Sequence, residues 1–127
     1  MKICFFSVVS IVLAGCVSAP GRADPDAFVI LQEDRISPSN VQAFAGCLMD
    51  GFDKSHFVLT NTSSRQQRRA DSYRIETLAG TKHVLVSADV FDNGLVTLNE
   101  AKGAALINTS GERDSFRLCL SKFAIAK

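Results

Sequence analysis

The residues of this 127-residue chain that have chemistry to offer are four cysteines, two histidines and a few acidic and basic clusters. A nucleophilic Cys47 or Cys119 would need a base such as His56 or His83 and a lowered thiol pKa. Nothing in the sequence around them requires that arrangement. The two histidines fall at the starts of strand-like segments and lack metal-ligand spacing. Asp50 and Asp53 flank the end of a helical segment and suit turn chemistry better than paired acid–base work. No G-x-S-x-G, H-E-x-x-H or phosphate-loop pattern is present. The chain is expected not to be an enzyme.

Two clusters suggest binding instead. Asp89, Asn93, Gly94, Val96 and Glu100 match positions 1, 5, 6, 8 and 12 of the calcium loop of EF-hand proteins. Position 3 should be an oxygen ligand but is Phe91, and the valines before it favour a strand over the required helix. A hairpin with an Asp92-Asn93-Gly94 turn explains the same residues without a metal. A calcium or small-ligand sensor using Asp89, Asn93 and Glu100 remains the alternative function. Arg65, Arg68 and Arg69 form a basic cluster suited to an anionic partner. The competing reading is a solvated loop whose charges pair with Asp71 and its neighbours. No aromatic residue interleaves before Tyr73, and the formal charge is only +1, so no nucleic-acid partner is expected.

The first sixteen residues say where the chain goes. Met1-Lys2 is a short basic start, Ile3 to Leu13 is an apolar run, and Ala14-Gly15 are small residues before a cut. That run is too short for a permanent span, which needs about 20 residues. Leu13-Ala14-Gly15-Cys16 resembles the lipobox of bacterial lipoproteins. The resemblance implies diacylglycerol on the Cys16 sulfur, cleavage before that residue, and acylation (palmitate, for example) of the freed amine. No other cofactor is expected. Two or three acyl chains make a lasting anchor where one does not. Val17, rather than aspartate, after the cysteine favours the outer membrane by resemblance to enterobacterial sorting. The rival reading is an ordinary signal cut after Val17-Ser18-Ala19, which would leave Pro20 first, where that peptidase works poorly.

Counting cysteines then becomes informative. Cys4 leaves with the signal and Cys16 takes lipid, so Cys47 and Cys119 remain. In an oxidising envelope they read as one disulfide, closing a loop of about 70 residues worth about 4 kcal/mol. A mature chain that kept Cys16 without lipid would hold an odd thiol.

The elements that must place these residues follow from periodicity. Residues 16–36 read as the lipidated cysteine and its tether, rich in proline, glycine and charge. Ala27-Phe28-Val29-Ile30-Leu31 interrupts the tether with an apolar patch that either adds an edge strand or docks on the domain. Ser37-Pro38 signals a helix start, with Val41, Phe44, Ala45 and Leu48 on one face and Gly51 as the stop. Strands are expected at His56–Asn61, Tyr73–Leu78, His83–Phe91 and Leu95–Asn99, with Ala104–Ile107 as a further strand or a continuation. A last helix starts near Thr109-Ser110 and buries Phe116, Cys119, Leu120 and Phe123.

The order α-β-β-β-β-α predicts an α+β two-layer sandwich. Its antiparallel β-meander carries two terminal helices on one face, joined by the Cys47–Cys119 disulfide. The expected organisation is a signal over 1–15, a tether over 16–36 and a periplasmic domain over 37–127. Roughly 90 folding residues are marginal without a staple. Together these features predict a non-enzymatic lipoprotein of the bacterial envelope, anchored in the bilayer and facing the periplasm. Its partner would be another envelope protein or a wall component.

Overall fold

Alternating apolar residues from His83 to Phe91 form the middle strand of a five-stranded antiparallel sheet. The computed structural model describes residues 25–55, 62–80, 83–106 and 108–125. In chain order the elements are β1 (Phe28–Arg35), α1 (Val41–Ser55), β2 (Thr62–Arg68), β3 (Ser72–Ala79), β4 (His83–Phe91), β5 (Leu95–Ala101) and α2 (Ser110–Phe123). The sheet order is β1-β5-β4-β3-β2, and every neighbouring pair is antiparallel. β2 to β5 form the expected meander, and β1 returns to lie beside β5. The fold is α+β, with the two helices joined by a disulfide.

β1 settles the apolar patch of the amino-terminal segment as an edge strand. β1 begins at Phe28, nine residues before the expected boundary at 37 and inside the segment read as tether. At the other edge, β2 occupies the segment read as a solvated arginine loop. Its sequence Thr-Ser-Ser-Arg-Gln-Gln-Arg has no apolar alternation. Seven consecutive ladder pairs with β3 hold it in place instead. The strand expected at 56–61 lies outside the described residues.

The first helix also differs in detail. Pro38–Asn40 forms a 3-10 turn that feeds α1, and the Ser37 hydroxyl meets Ser39 rather than capping the helix backbone. α1 runs through Gly51 to Ser55 and buries Phe52 one turn beyond Leu48. Asp50 and Asp53 thus lie within the helix, not in a turn. Lys102–Leu106 is a 3-10 turn rather than a strand. Thr109 precedes α2 but makes no side-chain cap bond to the helix; its hydroxyl donates to Glu100.

Register defines the core face of the sheet. Ile75, Ala88 and Leu98 pair across β3, β4 and β5, and Val90 pairs with Val96. These residues pack with Phe44, Leu48 and Phe52 of α1 and with Phe116, Cys119 and Leu120 of α2. Phe44 meets the edges of Phe116 and Phe123 at centroid distances of 5.9 and 6.1 Å, a favoured aromatic geometry. Gly94 closes the β4–β5 hairpin at φ +92°, where a side chain would be strained. A Cβ there would also strike the carbonyl oxygen of Ile36, whose N–H donates to Gly94 O at 2.8 Å.

Candidate functional site

Three pairs of small residues set how closely α1 and α2 pack. Cys47 bonds to Cys119 with a Cα–Cα distance of 6.0 Å and a sequence separation of 72. One turn along, a Cβ on Gly51 would come within 2.5 Å of Ser115 Oγ; one turn further, a Cβ on Gly111 would come within 2.8 Å of Ser55 Cβ. Positions 47, 51 and 55 therefore oppose 119, 115 and 111. Four-residue spacing keeps each set on one helix face, and the reversed order makes the helices antiparallel.

This ladder floors a groove of about 710 Å³ on the helix side of the domain. Lys54 and Lys122 stand on its lining together with Asp50, so its polar groups carry both signs. Leu118, 58% exposed, brings apolar surface to it. A Cβ built on Gly46 meets nothing within 4 Å, which leaves that part of the groove open. Cysteine parity points to the disulfide. The groove itself was not anticipated, because its sequence trace is a run of small residues spaced by four: Cys47, Gly51 and Ser55, then Gly111, Ser115 and Cys119. Gly51 read in isolation looks like a helix stop.

The candidate calcium ligands do not converge. Asp89 pairs with Thr97, whereas Glu100 pairs with Val86, so alternation puts the two carboxylates on opposite faces of the sheet. Asp89 accepts a 2.7 Å hydrogen bond from Arg74 Nε. Asn93 Oδ1 accepts from the Leu95 N–H in the turn. Glu100 accepts from the Thr109 hydroxyl. The segment is a hairpin, not a helix-flanked loop, and among the described residues no group of three His, Cys, Asp or Glu could hold a metal. β-propensity in Val84, Val86 and Val90 prevailed over the match in ligand spacing.

The arginine cluster is divided as well. Arg65 and Arg68 are three apart on β2, so they project to opposite faces of the sheet. Arg65 Nε donates to Glu76 Oε1 at 3.0 Å, and that carboxylate is fully buried. Arg68 makes a two-point bond with Asp92, each N–H···O at 2.7 Å, while its guanidinium lies 4.7 Å over the Tyr73 ring. The hydrogen bonds from Arg68 hold the Asp92 carboxyl below the usual aspartate range, and Asp92 raises the guanidinium in turn. Arg69 lies past the strand end, where its N–H donates to Ser72 O. The three arginines do not form one patch. Arg65 is paired with Glu76 and Arg68 with Asp92, while Asp71 adds a weaker electrostatic attraction on Arg68.

His83 is exposed at the start of β4; His56 lies outside the described residues, as does Cys16. Among the described residues no helix is long and apolar enough to cross a membrane. Comparison with family models, curated proteins and solved structures finds no significant match to this chain.

Proposed function

We propose that this chain is a lipid-anchored lipoprotein of the bacterial envelope. It has no enzymatic activity and holds a disulfide-stapled α+β domain on the periplasmic side of the outer membrane. There it binds another envelope protein or a wall component. The observation that carries this reading is the Cys47–Cys119 bridge. Those are the two cysteines left once the signal removes Cys4 and lipid takes Cys16. Stable disulfides belong to oxidising compartments, which an exported domain reaches.

The groove between α1 and α2 is the surface we assign to the partner. Its floor is fixed by the bridge and the small-residue ladder, so it is rigid before binding, which lowers the entropic cost of association. Leu118 supplies an apolar anchor, with Lys54 and Asp50 as the surrounding polar contacts.

Two measurements test the reading. Labelled palmitate should enter the wild-type chain in cells and be lost from Cys16→Ser; equal labelling of both would contradict the anchor. A photoreactive residue replacing Leu118 should crosslink a discrete partner in native envelopes. The same probe at Gln66, on the far edge of the sheet, should not. Equal crosslinking at both sites would remove the groove from consideration.

A further inference from the structure

Among the described residues the large apolar side chains left exposed are Val29, Ile30, Leu31, Leu118 and Ile125. Three of the five are consecutive and lie on an edge strand. Ile30 is 61% exposed, Val29 45% and Leu31 36%. Among the described residues β1 pairs with β5 alone, so no described strand covers its outer edge. Neighbouring side chains on a strand point to opposite faces, so Val29 and Ile30 present apolar surface on both sides of that edge. The opposite edge strand, β2, has no large apolar residue at all.

We propose that the first half of β1 seats the domain edge-on against the surface of the lipid bilayer. This rests on the lipoprotein reading and extends it to the orientation of the domain. Distance along the chain is the first argument. Val29 follows Cys16 by 13 residues, so the patch lies within about 45 Å of the lipidated residue even if the chain between them is fully extended. An anchored cysteine therefore keeps this edge close to the headgroups and raises its effective concentration there.

Shape is the second. Docking onto one sheet face would cover either Val29 or Ile30, not both. A bilayer interface takes an edge end-on and receives both rows. The ladder between β1 and β5 breaks its register between Ile30 and Gln32, placing an irregularity at Leu31. Irregular edges oppose the addition of a further strand. Water and headgroups at the interface can still satisfy the open N–H and C=O groups, which the hydrocarbon interior cannot.

Charge is the third. Lys102, exposed, directly follows Ala101, the ladder partner of Phe28, and stands where lipid phosphates would lie, while Glu100 opposite Val29 is engaged by the Thr109 hydroxyl. Glu33 and Asp34 begin two residues beyond Leu31, roughly 7 Å further along the strand. Only the first half of β1 then meets the surface, and β2 with its arginines lies four strand spacings away, about 19 Å into the periplasm.

The chain contains no tryptophan, so one introduced indole reports its own surroundings. The lipidated mature protein carrying Ile30→Trp is reconstituted in phosphatidylethanolamine–phosphatidylglycerol vesicles with acyl chains brominated near the headgroup. Leu118→Trp, on the helix side, is the comparison, and Val29→Trp is the second reporter should Ile30→Trp fold poorly. Emission from Ile30→Trp should shift to the blue and be quenched about twofold more than Leu118→Trp, as for a side chain at the headgroup–acyl boundary. Equal quenching at both positions in protein that floats with the vesicles overturns the proposal and leaves the anchor standing. A blue shift without bromine quenching also overturns it, because the edge is then covered by protein. Failure of the wild-type protein to float with the vesicles overturns the anchor, and this orientation with it.

Discussion

Gly51 on α1 faces Ser115 on α2 so closely that a methyl group on the glycine would lie 2.5 Å from the serine hydroxyl. With the Gly111–Ser55 approach and the Cys47–Cys119 bridge, it sets the helix separation and the depth of the groove. Gly51→Ala should destabilise the domain by about 1–3 kcal/mol through overpacking. Gly46→Ala, five residues earlier in the same helix and meeting nothing within 4 Å, should stabilise it by about 0.5–1 kcal/mol. Denaturant midpoints of the two variants moving in opposite directions would bear out the close approach. Equal gains would show that the helices can separate freely.

Reducing the Cys47–Cys119 bridge releases a loop of 72 residues, and the chain-entropy model assigns it about 4 kcal/mol. A domain of this size has little more than that in reserve. The reduced protein should melt well below the oxidised one, and Cys47→Ser with Cys119→Ser should reproduce the reduced curve. Coincident melting of the oxidised and reduced forms would mean that the hydrophobic core suffices alone.

Glu76 is fully buried and accepts a hydrogen bond from Arg65, which is 31% exposed. Arg65→Ala should therefore cost about 2 kcal/mol, below the ~3–5 kcal/mol expected for a fully buried pair. Arg65→Ala combined with Glu76→Gln should recover part of that loss, because no buried charge is left unpaired. Urea titrations of the two variants separate the cases; equal stability of Arg65→Ala and the wild type would argue against the pair.

Most of the core face was legible because its periodicity is strong. Val84, Val86, Ala88 and Val90 alternate without interruption, and Phe44 with Leu48 repeats at helical spacing. β2 was not legible, since a polar edge strand is defined by the strand it pairs with and not by its own residues. The same holds for Gly51. A helix stop and a close helix contact both require glycine, and only the position of Ser115 distinguishes them. The ligand-like spacing from Asp89 to Glu100, read in the sequence as better explained by a hairpin, builds no site for a related reason. A linear match says nothing about which face of a strand each carboxylate occupies.

Arg68 and Asp92 offer a test at the surface. The Asp92 carboxyl should titrate below the ordinary aspartate value of 3.8 because Arg68 hydrogen-bonds its ionised form. A depressed folded-state pKa stabilises above the unfolded value, and that contribution disappears as the pH falls through the folded one. The pair should therefore help the fold at neutral pH and cease to do so in acid, below pH 3.8. Carboxyl carbon shifts followed by NMR should show Asp92 moving up toward the ordinary value in Arg68→Gln. An unchanged titration would mean that the two-point bond does not persist in solution.

The mature amino terminus decides the central claim. Mass spectrometry of the amino-terminal peptide purified from envelopes should find it beginning at Cys16, carrying the mass of a diacylglyceryl group and an amide-linked acyl chain. A lipid-free peptide beginning at Pro20 would contradict the anchor, and so would an uncleaved chain that still carries residues 1–15.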